Sequence, residues 1–216
     1  MTEDYLVLLH GLGRTGLSMK YAEKRLAAEG FRTVNIGYPS RTHPIEKLAE
    51  KLGAALQKRC PDRKRKIHFI THSMGGIVLR CFLTGRTIEN LGRVVMLSPP
   101  NRGSQLAQRL VRNPLYKVAT GPSGQQLGTA PESVPLSLGP VTFELGVITG
   151  DRAANPLSYW IEGRSDGKVA VDEARAEGMS DFLVVPRGHT FIMNDAEVLK
   201  QAVHFIRHGS FAKVAG

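Results

Sequence analysis

Short runs of apolar residues alternate along the chain with stretches in which apolar positions recur every three or four residues. The runs Tyr5–His10, Arg32–Ile36, Ile67–Thr71, Val94–Leu97, Phe143–Ile148 and Phe182–Val185 are rich in Val, Ile, Leu and Phe and predict buried strands. Between them, Leu17–Glu29, Ile45–Arg59, Met74–Leu83 and Asp195–Arg207 predict helices, with Gly30, Pro61, Gly85 and Gly209 as stop signals. Strands alternating with helices imply βαβ units: a mostly parallel sheet of about six strands, with helices on both faces. Ligands in such folds bind beyond the carboxyl ends of the strands, so the residues closing each strand are where chemistry is expected.

Residues 101–140 break this rhythm. The segment is rich in Gly, Pro, Ser and Gln and holds one clear amphipathic piece, around Gln105–Arg112. A long insertion at the ligand-facing edge is more often functional than idle. It predicts a lid or substrate wall within a single domain spanning 1–216, with a structural excursion as the alternative. Leu106, Leu110, Leu115 and Tyr116 are the candidate wall residues, helix packing being the other reading of the first two.

Composition sets outer limits. A chain of 216 residues with 42% apolar content suits one domain with a sizeable core. No run approaches the roughly 18 apolar residues of a membrane span. The acidic start Met1-Thr2-Glu3-Asp4 lacks the positive charge and small-residue cleavage site of a secretory leader, and a soluble cytoplasmic protein is expected. Cys60 and Cys81 are too few for a disulfide framework and too isolated for a metal site. The net charge of +10 raises the question of anionic partners. Its one basic run, Arg63-Lys64-Arg65-Lys66, follows Pro61-Asp62 in a predicted turn, with no zinc-finger spacing or aromatic RNA-binding signature beside it. A solvated turn is the expectation and nucleic acid is not an expected partner, while a weak attraction to anionic substrates or membrane surfaces stays open. Oligomeric state is not legible.

The strand ends supply the chemistry. After the third strand comes His72-Ser73-Met74-Gly75-Gly76 and an apolar helix. A serine on a tight strand-to-helix turn projects its hydroxyl above the sheet, and the helix N-terminus behind it offers N–H groups to a developing oxyanion. Thr71 stands where the Gly-x-Ser-x-Gly pattern has its first glycine, so the surrounding packing must accommodate a larger side chain. The first strand ends His10-Gly11-Leu12-Gly13, and the backbone N–H groups of Leu12 and Met74 are assigned as an oxyanion hole. A glycine-rich turn without catalytic duty is the alternative, and a phosphate-binding loop a further one: Gly11-Leu12-Gly13-Arg14-Thr15-Gly16 has the Gly-x-Gly-x-x-Gly spacing, although no Gly-x-x-x-x-Gly-Lys occurs.

Of seven histidines, His189 directly follows the last strand and is placed to act as base toward Ser73. His68 alternates within a strand, His72 is expected to point away from the serine, and His10 to brace the oxyanion turn. His43, His204 and His208 read as surface. Two acids compete for the base's second nitrogen: Asp151 close behind the fifth strand, where Arg152 offers it a simple salt bridge, and Asp166 in Ser165-Asp166-Gly167-Lys168-Val169. Asp172 and Asp195 are further candidates.

The segments His10-Gly11-Leu12-Gly13, Thr71-His72-Ser73-Met74-Gly75-Gly76, Asp166-Gly167-Lys168-Val169 and Gly188-His189 resemble the corresponding motifs of α/β-hydrolase-fold lipases and esterases. The resemblance is nearest to small bacterial lipase-like proteins and the related PGAP1-like group, and runs from about Leu6 to Phe205. Leu97 to Ser104 is also similar to a strand-end segment of lipase-like members. The resemblance implies a six-strand core and a Ser73-Asp166-His189 triad in that chain order, with Asp166 favoured by its Asp-Gly-x-Val match. It further implies no metal or organic cofactor, and cleavage of a small or lipid-like carboxylic ester through an acyl-enzyme. Thioesterase, amidase and acyltransferase chemistry would use the same triad. A non-catalytic binding or scaffolding role would normally leave it broken.

Overall fold

A computed structural model describes residues 3–153 and 156–213; Met1 and Thr2 of the acidic start lie outside them. Six strands form one all-parallel sheet: β1 (Tyr5–Leu9), β2 (Arg32–Ile36), β3 (Ile67–His72), β4 (Leu91–Leu97), β5 (Leu145–Gly150) and β6 (Asp181–Val185), in the order β2-β1-β3-β4-β5-β6. β5 starts and ends two residues later than its apolar run suggests, because pairing of Val94 with Leu145 sets its start. The predicted first helix divides into a 3₁₀ turn, Gly16–Met19, and α1 (Lys20–Ala27). Helices α2 (Ile45–Arg59), α3 (Met74–Leu83) and, near the C-terminus, α7 (Ala196–His208) follow the sequence pattern.

Alternation along β1 fixes the layers. Tyr5, Val7 and Leu9 share one buried cluster with Leu48 and Leu52 of α2 and Ile77 of α3. Leu6 and Leu8 join the other, with Leu26 of α1 and Leu199 and Ala202 of α7. No helix among the described residues is long and apolar enough to cross a membrane. The basic run Arg63–Lys66 precedes β3, where Asp62 accepts from the Lys64 N–H and pairs with Arg65. It therefore lies at the amino ends of the strands, opposite the edge that carries Ser73.

The insertion is more regular than its composition predicts. It folds as α4 (Gln105–Leu110), α5 (Pro114–Gln125, broken at Gly121) and the single turn α6 (Val134–Ser137). α5 has a start signal in the sequence: the Asn113 side chain accepts from the N–H groups of Leu115 and Tyr116, and Pro114 occupies the first helical position. Gly121 and Pro122 conceal its continuation. Both ends of the insertion are clamped. The buried Arg80 of α3 donates to the Asn101 carbonyl at 3.0 Å and to the Gly139 carbonyl at 2.6 Å, and burial pushes its pKa down to about 10. Glu173, also buried, accepts from the Gln105 N–H at the start of α4 and from the Ala170 N–H, at 2.6 and 2.7 Å. So held, the insertion forms a wall over the strand ends.

α3 approaches β1 very closely. A Cβ added to Gly75 would stand 2.8 Å from the His10 carbonyl oxygen and 2.9 Å from that of Leu9. Gly75→Ala should lower the unfolding free energy by about 1–2 kcal/mol, overpacking outweighing the gain in helix propensity. Urea unfolding midpoints measure this; an unchanged midpoint would mean that α3 can move off β1 at no cost.

Candidate active site

The chain runs β1 to β2 in one direction across the sheet and then returns to place β3 on the other side of β1. This reversal opens a crevice between the carboxyl ends of β1 and β3, where Leu9 pairs with Thr71. The turn after β1 and Ser73 after β3 meet there. Ser73 has φ 53° and ψ −127°, a left-handed backbone that costs a non-glycine residue roughly 1–3 kcal/mol. It is held by its N–H to the Leu97 carbonyl (2.8 Å) and its own carbonyl to the Gly76 N–H (3.0 Å). The question raised by Thr71 is answered by Gly76: a Cβ there would lie 3.2 Å from Thr71 Oγ1 and 2.9 Å from Met96 Sδ. Room left free by the helix glycine accepts the larger strand residue.

His189 Nε2 lies 3.0 Å from Ser73 Oγ, and His189 Nδ1 lies 2.8 Å from Asp166 Oδ2. The Asp166 side chain is fully buried and its other oxygen accepts the N–H groups of Lys168 and Val169, each at 2.9 Å. Burial alone would raise its pKa, but the neighbouring His189 charge and these hydrogen bonds hold it below the ordinary carboxylate value. Asp151 is engaged elsewhere. It pairs with Arg164, not with Arg152 as the sequence suggested. Asp195 caps α7 and pairs with Arg187, and Asp172 lies exposed beside Arg175.

The remaining buried histidines are fixed by backbone partners. His10 accepts the Tyr38 N–H on Nε2 (3.2 Å), so its Nδ1 carries the proton and donates to the Gly11 carbonyl (2.9 Å). Stacked on Tyr38 at 4.2 Å, it braces the Leu12 turn. His72 does not simply turn away from the site. Its Nε2 donates to the His189 carbonyl at 3.0 Å, and the two rings lie 5.0 Å apart. It thus holds the backbone of His189, a contact invisible in a sequence that separates the two by more than a hundred residues. His68 accepts the Arg93 N–H on Nδ1.

A cavity of about 330 Å³ opens beside Ser73 and His189. Leu12 lines it, while Met74, fully buried, opens α3, where first-turn N–H groups lack helical acceptors. Leu106, Leu110 and Tyr116 line it too. Leu115 does not: it is 81% exposed and sits with Val118 on the outer face of α5. Helical spacing explains the correction, since Tyr116, Ala119 and Thr120 form the inward stripe and Leu115 falls outside it. Sequence reasoning also missed Leu157, in the 3₁₀ turn Pro156–Trp160, and the two cations Arg14 and Lys168.

No protein-family model matches the chain, and no curated protein does. Among solved structures it is similar to the mature form of a Bacillus licheniformis lipase, with a TM-score of 0.71 and 18% identity over 89% of this chain and 87% of that one. A metagenomic carboxyl esterase gives 0.72 and 17%, over 93% and 74%. The phospholipase PlaB from Legionella pneumophila gives 0.71 and 19%, over 94% of this chain and 57% of that one, so the chain spans little more than half of that protein. None of these three is named as a member of the PGAP1-like group. What is shared at such identities is the fold, and this chain has the α/β-hydrolase fold.

Burial disfavours the protonated forms of His10 and, more strongly, His72, placing both pKa values below the ordinary imidazole value. The unfolded chain therefore binds protons first as pH falls, and stability should decline below pH ~6.5. Nitrogen-edited NMR at pH 6 should find His10 as the Nδ1–H and His72 as the Nε2–H neutral tautomer. A His72 ring that titrates near the ordinary value would contradict this arrangement.

Proposed function

We propose that this chain is a serine hydrolase that cleaves carboxylic esters through an acyl-enzyme on Ser73. The observation that carries the reading is the continuous hydrogen-bond chain from Ser73 through His189 to Asp166, at 3.0 and 2.8 Å. With the Nδ1–H of His189 donated to Asp166, the bare Nε2 takes the Ser73 proton as Oγ attacks the ester carbonyl. The N–H groups of Leu12 and Met74 receive the oxyanion. His189 then returns the proton to the leaving alcohol, and water repeats the sequence to release the acid. Asp166, held ionised by its hydrogen bonds, stabilises the imidazolium formed in each half.

The apolar wall of Leu106, Leu110 and Tyr116 favours an acyl chain as the group held beside the serine. Esters are favoured over thioesters, amides and acyl transfer because the proteins of similar fold are named as a lipase, an esterase and a phospholipase. Those alternatives employ the same triad and differ in leaving group or acceptor. A scaffolding role has no support in a site so fully connected.

Ser73→Ala should abolish hydrolysis of p-nitrophenyl esters and labelling by a fluorophosphonate probe while the thermal midpoint moves little. Turnover retained in that variant would end the assignment. Asp166→Asn, which permits the wrong imidazole tautomer, should lower kcat on the order of 10⁴, the loss known for a comparable triad. Asp151→Asn should remain near normal, and a reversed ranking in steady-state assays would move the acid to Asp151. Leu106→Trp should shift preference toward shorter acyl chains, whereas Leu115→Ala should leave the chain-length profile unchanged; equal effects would remove the insertion from the acyl pocket.

A further inference from the structure

The pocket beside Ser73 is electrostatically one-sided. Arg14 and Lys168 both line it, and among the described residues no Asp or Glu does. Each cation comes from a turn anchored to the triad. Arg14 follows the Leu12 turn and donates through Nη2 to the Thr190 carbonyl at 2.9 Å, one residue beyond His189. Lys168 donates its backbone N–H to Asp166 at 2.9 Å and accepts Ser104 Oγ on its carbonyl at 3.1 Å, so its main chain is fixed between the acid loop and α4.

Neither side chain has a carboxylate partner among the described residues. Some cations elsewhere are paired, among them Arg65 with Asp62, Arg93 with Glu144, Arg164 with Asp151 and Arg187 with Asp195; what sets Arg14 and Lys168 apart is that both line the pocket beside Ser73. The acid nearest to Lys168, Asp166, is already committed to His189 and two backbone N–H groups. Partial burial and the Arg14 charge push the Lys168 pKa below its ordinary value against the opposing pull of the Asp166 charge, so the two cations act on each other. Two like charges at the rim of an apolar pocket, neither with a carboxylate of its own, destabilise one another until a further counter-charge arrives. The basic run Arg63–Lys66 cannot supply this field, because it lies at the other edge of the sheet.

We propose that Arg14 and Lys168 form an anion subsite, and that the ester cleaved at Ser73 carries a phosphate or carboxylate in its polar part, its acyl chain lying against the insertion. This rests on the ester-hydrolase reading above. A planar guanidinium suits two oxygens of such a group, and an ammonium on a flexible stem supplies a further donor. Lys168 lies against the pocket wall yet stays partly open to solvent at the mouth, which lets a charged head remain partly hydrated while the chain enters.

Three octanoyl esters kept below their micellar concentrations test this: neutral octanoylglycerol, octanoylglycerol 3-phosphate and 3-octanoylglycerate. The wild-type protein should prefer at least one anionic ester over the neutral one by about ten-fold or more in kcat/KM. The preference should shrink as salt is raised, and the better of the two anionic esters identifies the head group. In Arg14→Gln/Lys168→Met the ratio should fall to within about three-fold of unity, while Lys168→Arg should keep most of it. Because each protein supplies its own neutral reference, an overall loss of activity does not blur the result. A wild-type ratio near one, or a ratio unmoved by the double substitution, overturns the subsite and leaves the hydrolase reading intact. Failure of Ser73 to react with a fluorophosphonate removes that reading as well. Labelling without cleavage of any of the three esters counts against the subsite alone.

Discussion

The backbone of Ser73 is held in a left-handed conformation at the junction of β3 and α3, and the rest of the site is organised around that constraint. A serine at φ 53° is unfavourable by itself, and it persists because the strand before it and the helix after it are both buried and cannot relax. α3 must then run so near β1 that its second residue can only be glycine. The same closeness brings the turn after β1 alongside the serine. One strained residue therefore sets the approach of helix to strand, and that approach sets where the Leu12 turn stands relative to Ser73.

Proton positions follow from backbone contacts. Tyr38 N–H fixes one tautomer of His10, the His189 carbonyl fixes the opposite tautomer of His72, and Asp166 orients His189. His72 and His10 are neutral braces, whereas His189 is the imidazole that meets both a carboxylate and a hydroxyl. Seven histidines of identical intrinsic chemistry are thus sorted by what lies within about 3 Å of each ring.

The insertion contributes shape without loosening the sheet. Arg80 gathers its two ends from below, Glu173 ties α4 to the loop that carries Asp166, and Ser40 joins it to the Leu12 turn: Ser40 accepts the Gly13 N–H and, through its carbonyl, the Ser123 hydroxyl. The wall, the Asp166 loop and the Leu12 turn consequently form one connected body. Displacing α4 would strain the Glu173 carboxylate and, through Ala170, the acid loop.

Much of this was legible in the residues in order. Strand runs, helix stops and the placement of Ser73 and His189 beyond strand ends are local patterns, and local patterns determine element type and the edge on which side chains emerge. The competition between Asp151 and Asp166 could not be decided that way, since both follow buried segments; only the packed loops put one beside the imidazole and the other beside Arg164. The outward face of Leu115 depended on the rotation of α5, which its own short and interrupted sequence does not specify. The hold of His72 on His189, the clamp of Arg80 and the unopposed charges of Arg14 and Lys168 arise between segments far apart in the chain. The sequence by itself determined which groups stand at the strand ends, because periodicity is a property of neighbours. Tertiary structure decided which of them meet, because distances of about 3 Å across separate loops are set by packing alone.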